Sequence, residues 1–502
     1  MTVTRPGHGA PVTEPSTDGR PRLLPRGHRR GVLLLAGALL AGYALLSVLR
    51  HRALETTAFD LGIFFDAVHD WSRFSLPHVA VKGVHSGYGP GFDLLGDHFH
   101  PILALLAPTM WIWPHPVTLL VDQAALMAAS VVPVWSYAAR RLRSVTAAYA
   151  VALAYGLYWG IQTAVAFDFH EIAFAVPLIA LAIERIDAGR WVHACIAIAL
   201  LALVKEDLPI LIAFFGLYVA WRGRRWLLGA ALAAYGIASY LLITKVAMPA
   251  IAGHDYAYWS FGQLGQDLPH ALWHIAAHPL STAHLLVTPA VKWRTELMLF
   301  APFAFLTLAS PIAVLAVPLL AERFLSSGHQ YWVTAFHYSA TTAPVIAMGA
   351  ADGLGRVLDR LATKRRAWWQ RALRRWLPLA MAAAAVGIVA AFPFRELVAP
   401  RLWVGNAHID AGHAAIAAVP SGVVVEASDE IQPHLADRTT ALLLDGREHG
   451  AQYVVANVGS KEWPLNSLAR QAAYVDRLRG EGWTVVLARD RYVVLRVPGA
   501  RP

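Results

Sequence analysis

The chain contains a series of long apolar runs, and these constrain its fold more than any other feature. Residues 31–49 and 226–247 are two examples, and each is near the ~20 residues with which an α-helix crosses a bilayer. Only 15% of the 502 residues are charged, whereas a soluble protein has about 25%. The sequence therefore predicts an all-α polytopic membrane protein.

Basic residues gather in short clusters at the ends of these runs. A net charge of +10 is also found in proteins that bind nucleic acid, but cytoplasmic loops of membrane proteins are enriched in Lys and Arg in this local way. The clusters fall at residues 26–30, 140–143, 222–225 and 353–375. We therefore expect no nucleic acid partner, and we place these segments on the cytoplasmic side of the membrane.

This placement of the basic clusters sets a predicted topology. Residues 1–30 are rich in Pro, Gly and Arg and are expected to form a disordered cytoplasmic tail. The first apolar run is too long for a signal-peptide core and lacks a small-residue cleavage site, so it is expected to remain as a helix. Residues 31–395 then give about 11 transmembrane helices, with large outer loops at 50–101 and 249–296 and a basic cytoplasmic loop at 353–375.

The character of the chain changes after residue 400. Runs of β-branched residues separated by polar turns predict short strands, and two segments have helical spacing. The predicted strands are 422–427, 452–458, 484–488 and 491–497, the last two as a hairpin, and the predicted helices are 407–419 and 466–479. Residues 400–502 are therefore expected to form a small α/β domain on the extracytoplasmic side.

The first outer loop is rich in ionisable groups, with six acidic residues and six histidines between residues 50 and 101. Asp60 precedes a helix-like segment, where Asp60 or Thr57 could simply cap the helix. Asp97 and His98 stand at the other end of the same loop. Two carboxylates brought together could bind a divalent cation or share general-base work. Asp60, Asp97 and His98 are therefore the catalytic candidates and, if a metal is present, its candidate ligands.

Three consecutive charged residues, Lys205, Glu206 and Asp207, form the tip between two short apolar arms. Charges at membrane depth are costly and mark a site or a pathway. The alternative is a hairpin tip that lies in the headgroup zone, with Lys205 paired to one of its acidic neighbours. His170 and Glu171, in the preceding outer turn, are secondary candidates for the same cluster.

Outer segments later in the chain supply further candidates. Arg323 could bind a phosphate bidentately, or it could neutralise Glu322. His337 and Tyr338 follow in the same outer segment and complete the candidate set for substrate or phosphate binding. Tyr256, Tyr258 and Trp259, in the second outer loop, are candidates for stacking on a sugar ring.

Four motifs of this sequence resemble those of DUF2079, a bacterial family of multi-spanning proteins of unknown function. They are Phe59-Asp60-Leu61-Gly62-Ile63-Phe64, Asp97-His98-Phe99-His100-Pro101, Lys205-Glu206-Asp207 and His337-Tyr338. The resemblance extends over most of the chain, including the outer domain. The family is similar in layout to the GT-C glycosyltransferases, which transfer a sugar from a polyprenyl-phosphate carrier to an acceptor on the outer side of the membrane.

The resemblance implies roles for particular residues. Asp60 would deprotonate the acceptor hydroxyl, with Asp97 supporting it or sharing a cation. Lys205 and Arg323 would hold the lipid phosphate, whose departure needs its negative charge stabilised. The first outer loop lacks the adjacent Asp-Glu pair or Asp-x-Asp triplet of several GT-C branches, so a divalent cation stays open as the cofactor.

Three functions fit these features to different degrees. A membrane glycosyltransferase that uses a polyprenyl-phosphate-linked sugar explains the acidic outer loop, the cations near membrane depth and an outer domain that binds an acceptor glycan. A transporter or lipid flippase predicts paired halves with similar broken helices, which the large asymmetric outer loop opposes. A non-catalytic assembly protein leaves the acidic loop unexplained. The sequence therefore favours a glycosyltransferase whose extracytoplasmic acceptor is a cell-envelope glycan, lipid or protein.

Overall fold

A computed structural model describes residues 22–363 and 367–499 of the protein. Most of the predicted tail, residues 1–21, and part of the basic cytoplasmic loop, residues 364–366, lie outside the described residues. The described chain is mostly helical and carries one small sheet near its C-terminal end. This is the fold class that the sequence predicts.

The helices of the first half surround the segments that carry most of the candidate residues. In chain order they are α1 (Arg29–Arg52), α2 (Ile63–Ser72), α3 (Ala80–His85), α4 (Ala107–Ile112), α5 (Pro116–Ala129), α6 (Val131–Leu142), α7 (Val145–Gly156), α8 (Trp159–Ala166), α9 (Ala175–Asp187), α10 (Trp191–Leu200) and α11 (Leu208–Gly223). A single 3₁₀ turn, Leu201–Leu203, continues α10 toward the charged tip. The tip therefore lies between two short helices, as predicted.

The second half begins with a long apolar helix, which is followed by several shorter and less apolar helices. Its helices are α12 (Trp226–Leu242), α13 (Met248–Ala252), α14 (Leu268–Ala277), α15 (Pro279–Val287), α16 (Ala290–Phe300), α17 (Ala316–Leu325), α18 (Thr342–Thr363), α19 (Ala367–Val389), α20 (Pro400–Trp403), α21 (Ala407–Ala417) and α22 (Leu468–Gly480). The predicted second outer loop, 249–296, is thus partly helical, because α14, α15 and the start of α16 lie within it.

Within the described part of the chain, four helical stretches are long and apolar enough to cross a membrane by length and composition. They are Arg26–Arg52, Pro116–Leu142, Trp226–Ala252 and Ala367–Val389. Shorter apolar helices run over Pro101–Ile112, Trp191–Leu203 and Leu208–Gly223. The predicted total of about 11 spans stays a prediction, because it depends on these shorter helices crossing as well.

The helices α5 and α6 form one helical stretch, Pro116–Leu142, which we call the rod. Local sequence explains where the rod begins and ends. Pro116 occupies its first turn, where a missing N–H costs nothing, and the His115 ring accepts a hydrogen bond from the Val117 N–H at 3.1 Å. The rod stops at Arg143, which adopts a left-handed conformation with φ of 52°. Arg141 in the last turn complements the negative end of the helix dipole.

Glycine allows α11 and α12 to pack with their backbones close together. A Cβ atom added at Gly216 would lie 2.5 Å from the Gly229 carbonyl oxygen, and one added at Gly229 would lie 2.6 Å from the Gly216 carbonyl oxygen. Small residues of this kind let helices in membranes approach closely. The pair is therefore a tight hairpin that holds the charged tip at one end.

The C-terminal domain contains a five-stranded sheet in the order β2-β1-β3-β5-β4. Its strands are β1 (Val424–Ala427), β2 (Thr440–Leu443), β3 (Tyr453–Asn457), β4 (Thr484–Arg489) and β5 (Tyr492–Arg496). β1 runs parallel to β2 and β3, whereas β5 is antiparallel to β3 and β4. The four predicted strands and the hairpin of β4 and β5 are present. β2 escaped prediction because it is short and rich in Ala and Leu.

The C-terminal domain packs directly on the first outer loop. The Ala58 N–H lies 3.0 Å from Asp429 Oδ1, and the His51 and His434 rings stack with centroids 3.9 Å apart. A Cβ atom added at Gly62 would lie 2.1 Å from Gln432 Oε1, so the loop and the domain are in close contact. The segment that carries Asp60 is thus held by both parts of the molecule.

Candidate functional site

Asp60 lies in a single π-helical turn, Ala58–Gly62, that leads into α2. Turns of this kind are frequent at functional sites. No side-chain cap forms at the start of this turn or of α2. Thr57, the other predicted cap, instead places its hydroxyl 2.7 Å from Asp168 Oδ2 and 3.2 Å from Asp60 Oδ2. Capping therefore does not account for these two side chains.

The Asp60 carboxylate is held by His170, a residue 110 positions away. Asp60 Oδ1 lies 3.0 Å from His170 Nε2, and the Asp60 side chain is 26% exposed while that of His170 is 5% exposed. Burial opposes protonation of His170, but the attraction of Asp60 outweighs it and raises the pKa of the imidazole. The His170 imidazole thus fixes a carboxylate that still reaches solvent.

The turn between α8 and α9 is anchored by a glutamine that sequence reasoning missed. Gln123, in the middle of the rod, donates to the Asp168 carbonyl at 2.5 Å and accepts from the His170 N–H at 3.0 Å. Asp168 adopts a left-handed conformation with φ of 46°, and its carboxylate accepts the Thr57 N–H at 2.9 Å. Burial and the nearby Asp60 carboxylate raise the pKa of Asp168 to about 7. The available signal was the polar pair Asp122-Gln123 within an apolar run.

Glu206, at the charged tip, joins the far end of the first outer loop. Its carboxylate lies 2.7 Å from His98 Nδ1 and accepts the Phe99 N–H at 3.1 Å. Burial favours the neutral acid, but His98 outweighs it and lowers the pKa of Glu206 to about 2. His98 is thus paired with a carboxylate on the tip, and this pair fixes the two segments against each other.

Lys205 points toward the turn that carries the secondary candidates. Its Nζ lies 3.4 Å from Glu171 Oε1 and 3.9 Å from Asp207 Oδ2. Burial disfavours the charged amine, but the attraction of Glu171 and then Asp207 outweighs it and raises the pKa of Lys205 well above its usual value. The predicted pairing of Lys205 with an acidic neighbour on the tip is present, and Glu171 joins it.

Asp97 has different partners from Asp60. It pairs with Lys82 at 3.3 Å and accepts a hydrogen bond from the Tyr258 hydroxyl. The Tyr258 ring also stacks on His98, with centroids 4.2 Å apart. The carboxylate therefore turns toward the second outer loop.

The predicted metal ligands are distributed over separate pairings. Asp60 pairs with His170, Asp97 with Lys82, and His98 with Glu206. Among residues 22–363 and 367–499, no group of three or more His, Cys, Asp and Glu side chains is arranged to hold a metal ion. A divalent cation as cofactor remains a prediction of the sequence.

Arg323 is buried and is occupied with neighbouring loop groups. Its Nη1 donates to Ser339 Oγ at 2.6 Å, its Nη2 to the Val333 carbonyl at 2.5 Å, and its Nε to the Tyr331 carbonyl. Glu322, the other predicted partner, does not pair with it. Arg323 thus holds in place the outer segment that carries His337 and Tyr338. Its contacts position these two residues.

Glu322 and Asp207, from the charged tip, are neighbours that line one small cavity with Lys205. Burial and the Asp207 carboxylate raise the pKa of Glu322 well above its usual value, since two adjacent buried carboxylates do not both ionise readily.

His337 connects the later outer segment to the Asp60 side of the site. Its ring stacks on His170 with centroids 3.7 Å apart. A small cavity of about 40 Å³ lies beside this stack and the charged tip. It is lined by Ile172, Lys205, Asp207, Leu208, Leu319, Glu322, Arg323, Tyr331, His337, Tyr338 and Thr341. The structure thus brings four separate parts of the chain to one network, in which Asp60 and Lys205 lie on either side of His170 and Glu171.

Comparison with known proteins places this architecture in a family and a fold. A family model described as "Predicted membrane protein (DUF2079)" matches residues 50–494. ArnT from Cupriavidus metallidurans bound to undecaprenyl phosphate is similar with a TM-score of 0.56 and 13% identity, covering 94% of this chain and 99% of that chain. The apo state of the same ArnT gives a TM-score of 0.50 and 14% identity, covering 93% and 98%. No curated protein sequence matches this chain.

These matches confirm the family and the GT-C-like layout that the sequence motifs predicted. The identity of 13% limits the likeness to ArnT to the fold. The fold nevertheless covers nearly the whole chain, so the outer domain belongs to the shared architecture as well. The roles of individual residues rest on the geometry described above.

Proposed function

Because this chain belongs to the DUF2079 family of predicted membrane proteins and has a fold similar to that of ArnT, a GT-C glycosyltransferase, we propose that it is a membrane glycosyltransferase. It takes a sugar from a polyprenyl-phosphate carrier and transfers it to an acceptor on the extracytoplasmic side. The observation that carries the proposal is the partly exposed Asp60 carboxylate, fixed by buried His170 in the same network as the Lys205 cation.

In the proposed reaction Asp60 is the general base. The acceptor oxygen forms a bond to the anomeric carbon of the sugar, and the bond from that carbon to the phosphate oxygen breaks. The hydroxyl proton passes to the Asp60 carboxylate, whose orientation is set by the 3.0 Å contact with His170. A positioned base of this kind contributes roughly 10²–10⁴-fold to a rate.

Lys205 is the proposed partner of the departing phosphate. The leaving group gains negative charge as its bond to the sugar breaks, and a fixed cation in a site shielded from water stabilises that charge. Lys205 lines the small cavity together with Tyr338 and Arg323. The carrier's apolar tail would lie along the helices within the bilayer, and a divalent cation joins the proposal as its cofactor.

The test is sugar transfer in membranes that contain the full-length protein, supplied with a panel of radiolabelled polyprenyl-phosphate sugars. We expect transfer by the wild type, a loss of about 10²–10⁴-fold in Asp60→Asn, and a loss of about 10²–10³-fold in Lys205→Gln. Asp70→Asn, a carboxylate of the same loop whose partner is His78, is the matched control and should retain the rate. A parallel assay with EDTA tests whether transfer needs a divalent cation.

Two outcomes would contradict the proposal. Equal transfer by the wild type and Asp60→Asn would remove Asp60 as the base. Absence of transfer by the wild type from every donor, with the protein folded and inserted, would favour the transporter alternative.

A further inference from the structure

A second, much larger cavity lies away from the candidate site. Its volume is about 800 Å³, and it is lined by Arg141, Trp221, Arg222, Arg224, Pro311, Arg356, Asp359 and Arg360. Five of these eight residues are arginines. We call this cavity the arginine pocket.

The arginine pocket lies at the opposite ends of helices that start in the candidate site. α11 begins directly after Asp207 and carries Arg222 in its last turn, about 22 Å further along at the rise of an α-helix. α18 begins five residues after His337 and carries Arg356 and Arg360 in its later turns. The pocket and the candidate site therefore lie toward opposite faces of the membrane.

The positive charge of the pocket is only partly balanced. Arg141 pairs with Asp352 at 2.7 Å and with Asp359 at 3.1 Å, and Arg356 shares Asp352 at 2.6 Å. Five guanidinium groups thus face two carboxylates, of which that of Asp359 is largely exposed.

Three of the lining arginines form no close pair with another group of the protein. Within residues 22–363 and 367–499, the side chains of Arg222, Arg224 and Arg360 make no hydrogen bond or ion pair, and Arg222 has only a longer-range attraction to Asp187. Of the two paired arginines, Arg141 ties α6 to α18, and Arg356 pairs with Asp352 within α18. The unpaired guanidinium groups are therefore free to receive an anion.

Guanidinium groups bind phosphate oxygens through paired N–H donors. The rim of the pocket carries Trp221, which is 61% exposed, and exposed tryptophans near helix ends are typical of the membrane interface. Basic pockets between transmembrane helices on the cytoplasmic side bind anionic lipid headgroups. We propose that the arginine pocket binds a phosphate group, carried either by an anionic lipid headgroup or by a small soluble phosphate.

The test uses the purified full-length protein in detergent and two probes. One probe is short-chain phosphatidylglycerol, with phosphatidylcholine of the same chain length as the neutral comparison, and the other is ³²P-labelled inorganic phosphate. The triple variant Arg222→Gln, Arg224→Gln, Arg360→Gln is expected to lose at least tenfold in affinity for whichever probe binds. A single Arg360→Gln variant, which preserves the other four guanidinium groups, is expected to lose less.

The matched control removes the same charge from exposed arginines outside the pocket. The variant Arg29→Gln, Arg371→Gln, Arg375→Gln keeps all five lining guanidinium groups and should bind as the wild type does. Preference for phosphatidylglycerol identifies a lipid headgroup, and binding of inorganic phosphate alone identifies a soluble ligand. Equal affinity of the wild type and the triple pocket variant, or equal losses in both triple variants, would overturn the proposal.

Discussion

The two ends of α11 and α18 use charge in opposite ways. At the end that carries the candidate site, which we call the outer end, Glu206 is buried, Lys205 is half-buried and both are paired, and the C-terminal domain packs on the adjoining loop. At the opposite end, which we call the inner end, Arg222 and Arg360 line an open cavity and form no hydrogen bond or ion pair within the described chain. A paired and buried network fixes the geometry of side chains, whereas an unpaired and open cluster is suited to exchange a ligand. The same helices thus support a rigid site at one end and a receptive site at the other.

The largest expected effect comes from breaking a pair at the outer end. Glu206→Ala removes the partner of His98 and of the Phe99 N–H, and loss of one member of a buried ion pair costs about 3–5 kcal/mol. We expect a correspondingly lower unfolding midpoint in a detergent thermal-unfolding assay. Arg360→Ala at the inner end breaks no pair and is expected to stay within about 0.5 kcal/mol of the wild type. Equal destabilisation by both substitutions would erase the contrast between the two ends.

A smaller effect is expected where the C-terminal domain packs on the first outer loop. Gly62→Ala places a Cβ atom where Gln432 Oε1 now lies, and overpacking of this kind costs about 1–3 kcal/mol. Unfolding of purified Gly62→Ala measures the cost, and adding Gln432→Ser should recover part of it by making room. If the double variant is no more stable than Gly62→Ala, then contact between the domain and the loop is not the cause.

The third effect develops gradually with pH, because the pKa of Asp168 lies near neutrality, whereas arginines do not titrate there. The folded pKa of Asp168 is raised to about 7, above the unfolded value, so its contribution to stability is complete below about pH 4 and is lost as pH rises toward 7. We expect up to about 1.4 kcal/mol of lost stability per pH unit in this window. Thermal unfolding between pH 5 and 8 should show a flatter profile for Asp168→Asn than for the wild type, and parallel profiles would contradict this assignment.

Much of this molecule could be predicted from its sequence. The apolar runs identified the long helices, and β-branched runs identified β1, β3, β4 and β5. Isolated charges in polar turns identified Asp60, His170, Glu171 and Lys205, which the structure brings into one network. Such predictions succeed because they depend on local composition and on the cost of placing charge near a membrane.

Pairings between distant segments could not be predicted in the same way. The sequence suggested that Asp97 would support Asp60, yet Asp97 contacts Lys82 while Asp60 contacts His170. Glu206 contacts His98, which lies 108 positions away in the chain. This contact depends on how the intervening helices pack against one another. Gln123 had no local signal beyond its polarity. These contacts follow from tertiary packing, which leaves no periodic pattern in a single sequence.

The hydrogen bond between Ala58 and Asp429 also bears on the order in which the protein is made. The two residues are separated by 371 positions, so the ribosome adds Ala58 well before Asp429. The segment around Ala58 therefore exists long before this binding partner does. A nascent chain that has formed its first helices still lacks the contact that completes this loop, so the loop is completed only after the C-terminal domain has been made.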